Sequence, residues 1–117
     1  MLRSLARLLL SGIFITGGAD AFLHPGGRVN KVSEAGIPQP KQSVELNGLA
    51  MVVGGTMMGV GLAPRLGALI LLGSLLPTTF VGHAFWREEG EAARKTQATQ
   101  FYKNLGLLGG LLLVITE

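Results

Sequence analysis

Seven ionisable or amide side chains stand out against the apolar sequence: Asp20, His24, Glu45, Asn47, His83, Lys103 and Asn104. A carboxylate beside an imidazole at a membrane interface suits proton relay. Below an apolar cavity, the same pair suits hydrogen bonding to a quinone head group. The competing reading is a structural polar cap, in which Asp20 or Glu45 pairs with Lys103 or His83. Two histidines by themselves specify no haem site, and no metal site is read from the sequence. Cysteine is absent, which removes disulfides, thiolate zinc sites, iron–sulfur clusters and thiol redox chemistry by this chain alone. Ser11 and Ser74 have no base beside them in sequence, so no nucleophile motif is present. No cofactor is therefore certain, and quinone is the one the cluster suits.

The elements that must position these groups are membrane helices. The 117 residues are 48% hydrophobic and only 15% charged, the reverse of a disordered chain. The length suits one domain, 1–117. Glycine contributes 18 residues, against a usual ~7%, and mean hydropathy is +0.45. The net charge is +3, but the cations are scattered around apolar blocks and form no basic face. Nucleic acid is discounted on that ground.

Four apolar blocks follow in order, with helices expected over about 5–23, 44–62, 65–83 and 101–116. A bilayer core of ~30 Å takes roughly 17–25 residues per helix. The last two blocks reach that length only with flanking residues. The expected class is an all-α integral membrane four-helix bundle, multi-pass in the cell membrane. Residues 24–43 hold three of the five prolines and read as a loop. Ala63 and Pro64 read as a tight turn. Residues 87–100 read as a charged, solvated segment or a short surface helix. The N-terminus also carries the marks of a signal peptide: Arg3 and Arg7, an apolar run, then Ala19-Asp20-Ala21. Cleavage there would leave three helices.

Four spans put the 24–43 and 87–100 connections on one side, and both termini and the Pro64 turn on the other. Seven of the ten Lys and Arg lie on the loop side, which favours that side as cytoplasmic. Arg3 and Arg7 pull the other way, and the orientation stays open. Chain direction then gathers the polar residues. Helix one ends at the loop side with Asp20 and His24, and helix three ends there with His83. Helix two begins there with Glu45 and Asn47, and helix four with Lys103 and Asn104. Intramembrane acids are costly unless they face the bundle.

Glu45, Gly48, Val52, Gly55 and Gly59 share one helical stripe at spacings of three or four. Small residues in such a stripe suit close helix packing, so Glu45 is expected to face the bundle. Gly106 and Gly110 repeat the G-x-x-x-G motif in the last helix. Packing within the chain is its first use, and homo-oligomerisation its second. Pro77 removes a backbone hydrogen bond, and Thr78 and Thr79 are placed to satisfy freed groups. Trp86 and Tyr102 read as interfacial anchors in the lipid bilayer. Met57 and Met58 read as ordinary filler.

The order of motifs is RLLLSGIFITGGADAFLHPGG, ELNGLAMVVGGTMMGVGLAPRLGAL, PTTFVGHAFW and FYKNLGLLGGLLL. It resembles the DoxX family of small bacterial membrane proteins, its actinobacterial members above all, over nearly the whole chain. The resemblance implies a four-helix membrane bundle with helix one retained. The family takes its name from a subunit of an archaeal thiosulfate:quinone oxidoreductase. Some members are linked to oxidative-stress defence through association with superoxide dismutase and a sulfurtransferase. Glu45, His83 and Asn104 match polar positions of the family pattern, and Arg65 its basic residue after helix two. Asp20 matches the actinobacterial first-helix motif. The 24–43 loop is shorter than in many relatives. Three functions follow in order: an accessory or scaffold subunit for membrane redox enzymes, a quinone-linked oxidoreductase subunit, and a small transporter or lipid-binding protein.

Overall fold

Lipid supplies no hydrogen-bond partners, so a chain this apolar must satisfy its backbone within helices. The computed structural model describes residues 1–117 and contains no strand. Five α-helices follow in order: α1 (Leu2–Leu23), α2 (Gly26–Glu34), α3 (Pro40–Val60), α4 (Pro64–Pro77) and α5 (Glu91–Ile115). A π-helical turn (Thr78–Gly82) and a short 3-10 turn (Phe85–Arg87) extend α4. Four stretches are long and apolar enough to cross a membrane: Leu2–Leu23, Pro40–Val60, Pro64–Arg87 and Glu91–Ile115. The molecule is 45 Å long, close to a bilayer with its headgroup layers.

Prolines and glycines set the helix ends. Pro25 disfavours helical geometry at His24, and α1 stops there. Pro40 and Pro64 stand in the first turns of α3 and α4, where no backbone N–H is needed. Gly61 closes α3 at φ 79°, a left-handed position that costs glycine nothing.

The expected helix limits shift: α1 begins at Leu2 rather than 5 and α3 at Pro40 rather than 44, and three further changes are larger. Residues 24–43 are not simply a loop, because α2 occupies nine of them. Its flanking Pro25 and Gly26 read as breakers, yet they sit at its N-terminal boundary. The last helix begins at Glu91 rather than 101. No proline or glycine interrupts residues 91–105, so the charged segment forms the first turns of α5. The third span is α-helical only to Pro77 and continues as a π turn.

Helix α3 is clamped between α1 and α4 by backbone-to-backbone contact. A Cβ on Gly48 would stand 2.6 Å from the Gly18 carbonyl oxygen, and one on Gly18 would stand 2.6 Å from that of Gly48. On the α4 side, Gly54 and Gly67 approach in the same way, at 2.9 and 2.7 Å. Gly55 and Gly59 lie over Ile15 and Ser11 of α1. So four of the α3 glycines meet neighbouring helices directly. A core of Phe14, Met58, Leu71, Leu75 and Leu111 fills the centre.

The two ends of the bundle differ. At the terminal end, Gly110 of α5 meets Leu10 of α1. The Glu117 carboxylate pairs with Arg7 there, and its main-chain oxygen accepts from Arg65. At the loop end, α1 and α5 part.

A methyl group at the α1–α3 crossing must push the helices apart. Gly48→Ala is expected to destabilise the bundle by about 1–3 kcal/mol. Gly106→Ala is expected to have no such cost, because nothing lies within 4 Å of its Cβ position. Thermal unfolding in detergent checks both.

Candidate functional site

The parting of α1 and α5 leaves a cavity of about 660 Å³ at the loop end, open to the surroundings. This is within the ~300–1,000 Å³ of small-molecule sites. Its floor is apolar and comprises Phe14, Met51, Leu75 and Leu107. Its rim is polar and carries Arg28 and Lys31 from α2, His83 from the end of the π turn, and Gln97, Gln100 and Lys103 from α5. The short helix α2 thus forms part of the wall.

The irregular segment after Pro77 ties the walls together. Pro77 has no N–H to give, so the α-helical ladder is interrupted at its position. The Thr78 and Thr79 hydroxyls donate to the carbonyls of Ser74 and Leu75, at 2.9 and 2.7 Å. Each threonine also reaches a neighbouring helix. Asn47 of α3 donates to the Thr78 hydroxyl at 3.0 Å and accepts from the Ser74 hydroxyl at 2.8 Å. Buried Asn104 of α5 donates to the Thr79 hydroxyl at 3.1 Å. The π turn ends at His83, whose Nδ1 donates to Gln97 Oε1 at 2.8 Å. That bond leaves Nε2 as the acceptor of the neutral ring. Phe101 stands among Phe80, Phe85, Trp86 and Tyr102, with ring centroids 5.3–5.6 Å apart. This aromatic group fixes the 3-10 turn against α5 just outside the cavity.

The seven polar residues named from the sequence divide between two places. Asn47, His83, Lys103 and Asn104 line the cavity. Asp20, His24 and Glu45 do not. Asp20 is exposed and pairs with Arg28 at 2.9 Å. His24 is exposed at the end of α1. Glu45 is half-buried, outside the cavity, and makes no hydrogen bond or ion pair with the chain. The pairings of a cap, Asp20 or Glu45 with Lys103 or His83, do not form, because Arg28 holds Asp20 and Gln97 holds His83. Lys103 donates to Gln100. Of the helix-packing glycines, Gly48, Gly55, Gly59 and Gly110 meet other helices, whereas Gly106 faces outward.

Four contributors lie outside those seven. Arg28 and Lys31 entered the sequence argument only as loop charges, and Gln97 and Gln100 only as part of the polar segment. The signal in each case is helical spacing: Arg28 and Lys31 are three apart on α2, and Gln97, Gln100 and Asn104 follow one face of α5.

The threonine links predict an asymmetry. Thr79→Val strands the buried Asn104 amide and removes the second donor to the Leu75 carbonyl, at an expected cost of about 1–3 kcal/mol. Asn104→Leu removes one donor and leaves the Thr79 bond to Leu75 intact, so its cost should be smaller. Unfolding of the two variants in the same detergent measures the difference.

A family model described as DoxX matches residues 2–84. The match runs from α1 through the π turn and stops short of α5, so the KNLGLLGGLLL segment lies beyond it. Neither a curated protein nor a solved structure matches the chain. The family match covers well over half of the sequence and agrees with the four apolar spans: this chain is a multi-pass membrane protein of the DoxX family.

Proposed function

We propose that this protein is an accessory subunit of a membrane-associated redox assembly, and that it holds a small amphipathic molecule in the loop-end cavity. One observation carries the reading: an apolar floor beneath a hydrogen-bonding rim, opening beside the interfacial aromatics Trp86 and Tyr102. A molecule with a polar head and an apolar body matches both surfaces at once. Family resemblance supplies the redox setting, with superoxide dismutase and a sulfurtransferase as partner classes.

A second reading makes the occupant a quinone. The His83–Gln97 pair at the rim and the buried Asn104 amide that lines the cavity below it favour it, since a ring carbonyl needs donors and a quinol needs an acceptor. In that reading His83 exchanges the proton. Glu45 has no part in it, because it stands outside the cavity.

The protein purified in mild detergent from its own membranes is expected to carry about one extractable amphiphile per chain in native mass spectrometry. Gly17 lines the cavity, with only the flexible tip of Met51 near its Cβ position, at 3.7 Å. Gly17→Leu should therefore fill the site and lose the amphiphile while the bundle still folds. An extract without any amphiphile would end the binding reading. A stoichiometric quinone would select the second one.

A further inference from the structure

We infer that the occupant of the cavity carries a negatively charged head group on a single apolar tail. The inference rests on the reading of the cavity as a ligand site, and it names the ligand's chemistry.

The charges at the rim are of one sign. Arg28, Lys31 and Lys103 line the cavity, together with His83, and no carboxylate does. Two acids pair with these cations from outside it: Asp20 with Arg28 at 2.9 Å and Glu88 with Lys31 at 3.2 Å. Neither pairing exhausts its cation. A guanidinium has five N–H donors and an ammonium three. Lys103 bonds only the neutral amide of Gln100. Acids on the outside and cations on the inside leave a positive potential in the cavity, and apolar walls focus it.

The floor specifies the rest of the molecule. Phe14, Met51, Leu75 and Leu107 offer nothing to a polar group. Along α1 the lining runs from Ala21 to Ile13, a depth of about 12 Å at 1.5 Å per residue. A cavity of that depth and of 660 Å³ admits one short chain beneath the head. The anion would meet Lys103 and the two α2 cations at the rim, and the chain would lie against the floor.

The test uses the full chain in an uncharged maltoside detergent, with dodecyl phosphate as the probe and bound stoichiometry read by native mass spectrometry. Dodecanol, inorganic phosphate and a neutral quinone analogue with a ten-carbon tail are the comparators. One dodecyl phosphate per chain is expected, bound at least tenfold more tightly than dodecanol or the quinone analogue, with inorganic phosphate failing to compete. Lys103→Gln should weaken binding about tenfold. Asp20→Asn should strengthen it severalfold by releasing Arg28, and since both positions are exposed, neither change threatens the fold. Equal binding of dodecanol or the quinone analogue would overturn the anionic head while sparing the cavity as a site. Competition by inorganic phosphate would overturn the tail. Failure of every probe, with no difference between the natural chain and Gly17→Leu, would overturn the site itself.

Discussion

The bundle depends on how closely α3 can approach its two neighbours. Lipid gives apolar helices little reason to associate, so van der Waals contact and hydrogen bonds across the interface have to do it. Gly48 against Gly18 and Gly54 against Gly67 bring backbone to backbone on opposite flanks of one helix. With α1 and α4 held that tightly to α3, α5 packs on α4 and reaches α1 only near the terminal end. The gap left at the other end is the cavity. Glycine placement in α3 thus governs a space formed largely by other helices.

The same helix pair needs polar ties where the glycine contacts stop. Pro77 ends the α-helical part of α4, and the two threonines after it turn the interruption into two cross-links. Thr78 faces Asn47 and Thr79 faces Asn104, so the π turn is bonded to α3 on one side and α5 on the other. Each hydroxyl also donates to a carbonyl of its own helix, which places both hydroxyl hydrogens within an apolar setting. One stretch of the cavity wall, Thr78–Gly82, is therefore irregular backbone held by side chains, the form that irregular backbone must take within an apolar span.

Charge is distributed to match. The terminal end is closed by Glu117 between Arg7 and Arg65. The loop end carries cations facing inward and acids facing outward, with α2 placing two of the cations. A proton-relay cluster joining all seven polar residues is not what the chain builds. Helix α1 turns Asp20 outward and α3 turns Glu45 away from the cavity, whereas α5 brings in Gln97 and Gln100 along the face that carries Asn104.

Sequence alone determined the class, the four spans and the gathering of polar groups at one end. These follow from hydropathy, helix length and chain direction, which are local properties or simple consequences of counting. It also pointed to the α3 glycine stripe, because a run of small residues at spacings of three or four has one obvious use in lipid. Tertiary structure alone decided which polar residues meet. Asp20 and Asn104 both lie near the loop end, yet one is exposed and the other buried, and rotation of a helix about its axis sets that difference. Rotation depends on the packing of every neighbour, and no local pattern encodes it. The helical state of residues 26–34 was hidden for a related reason: the short helix α2 lies against α3 and the π turn, contacts that no local pattern encodes.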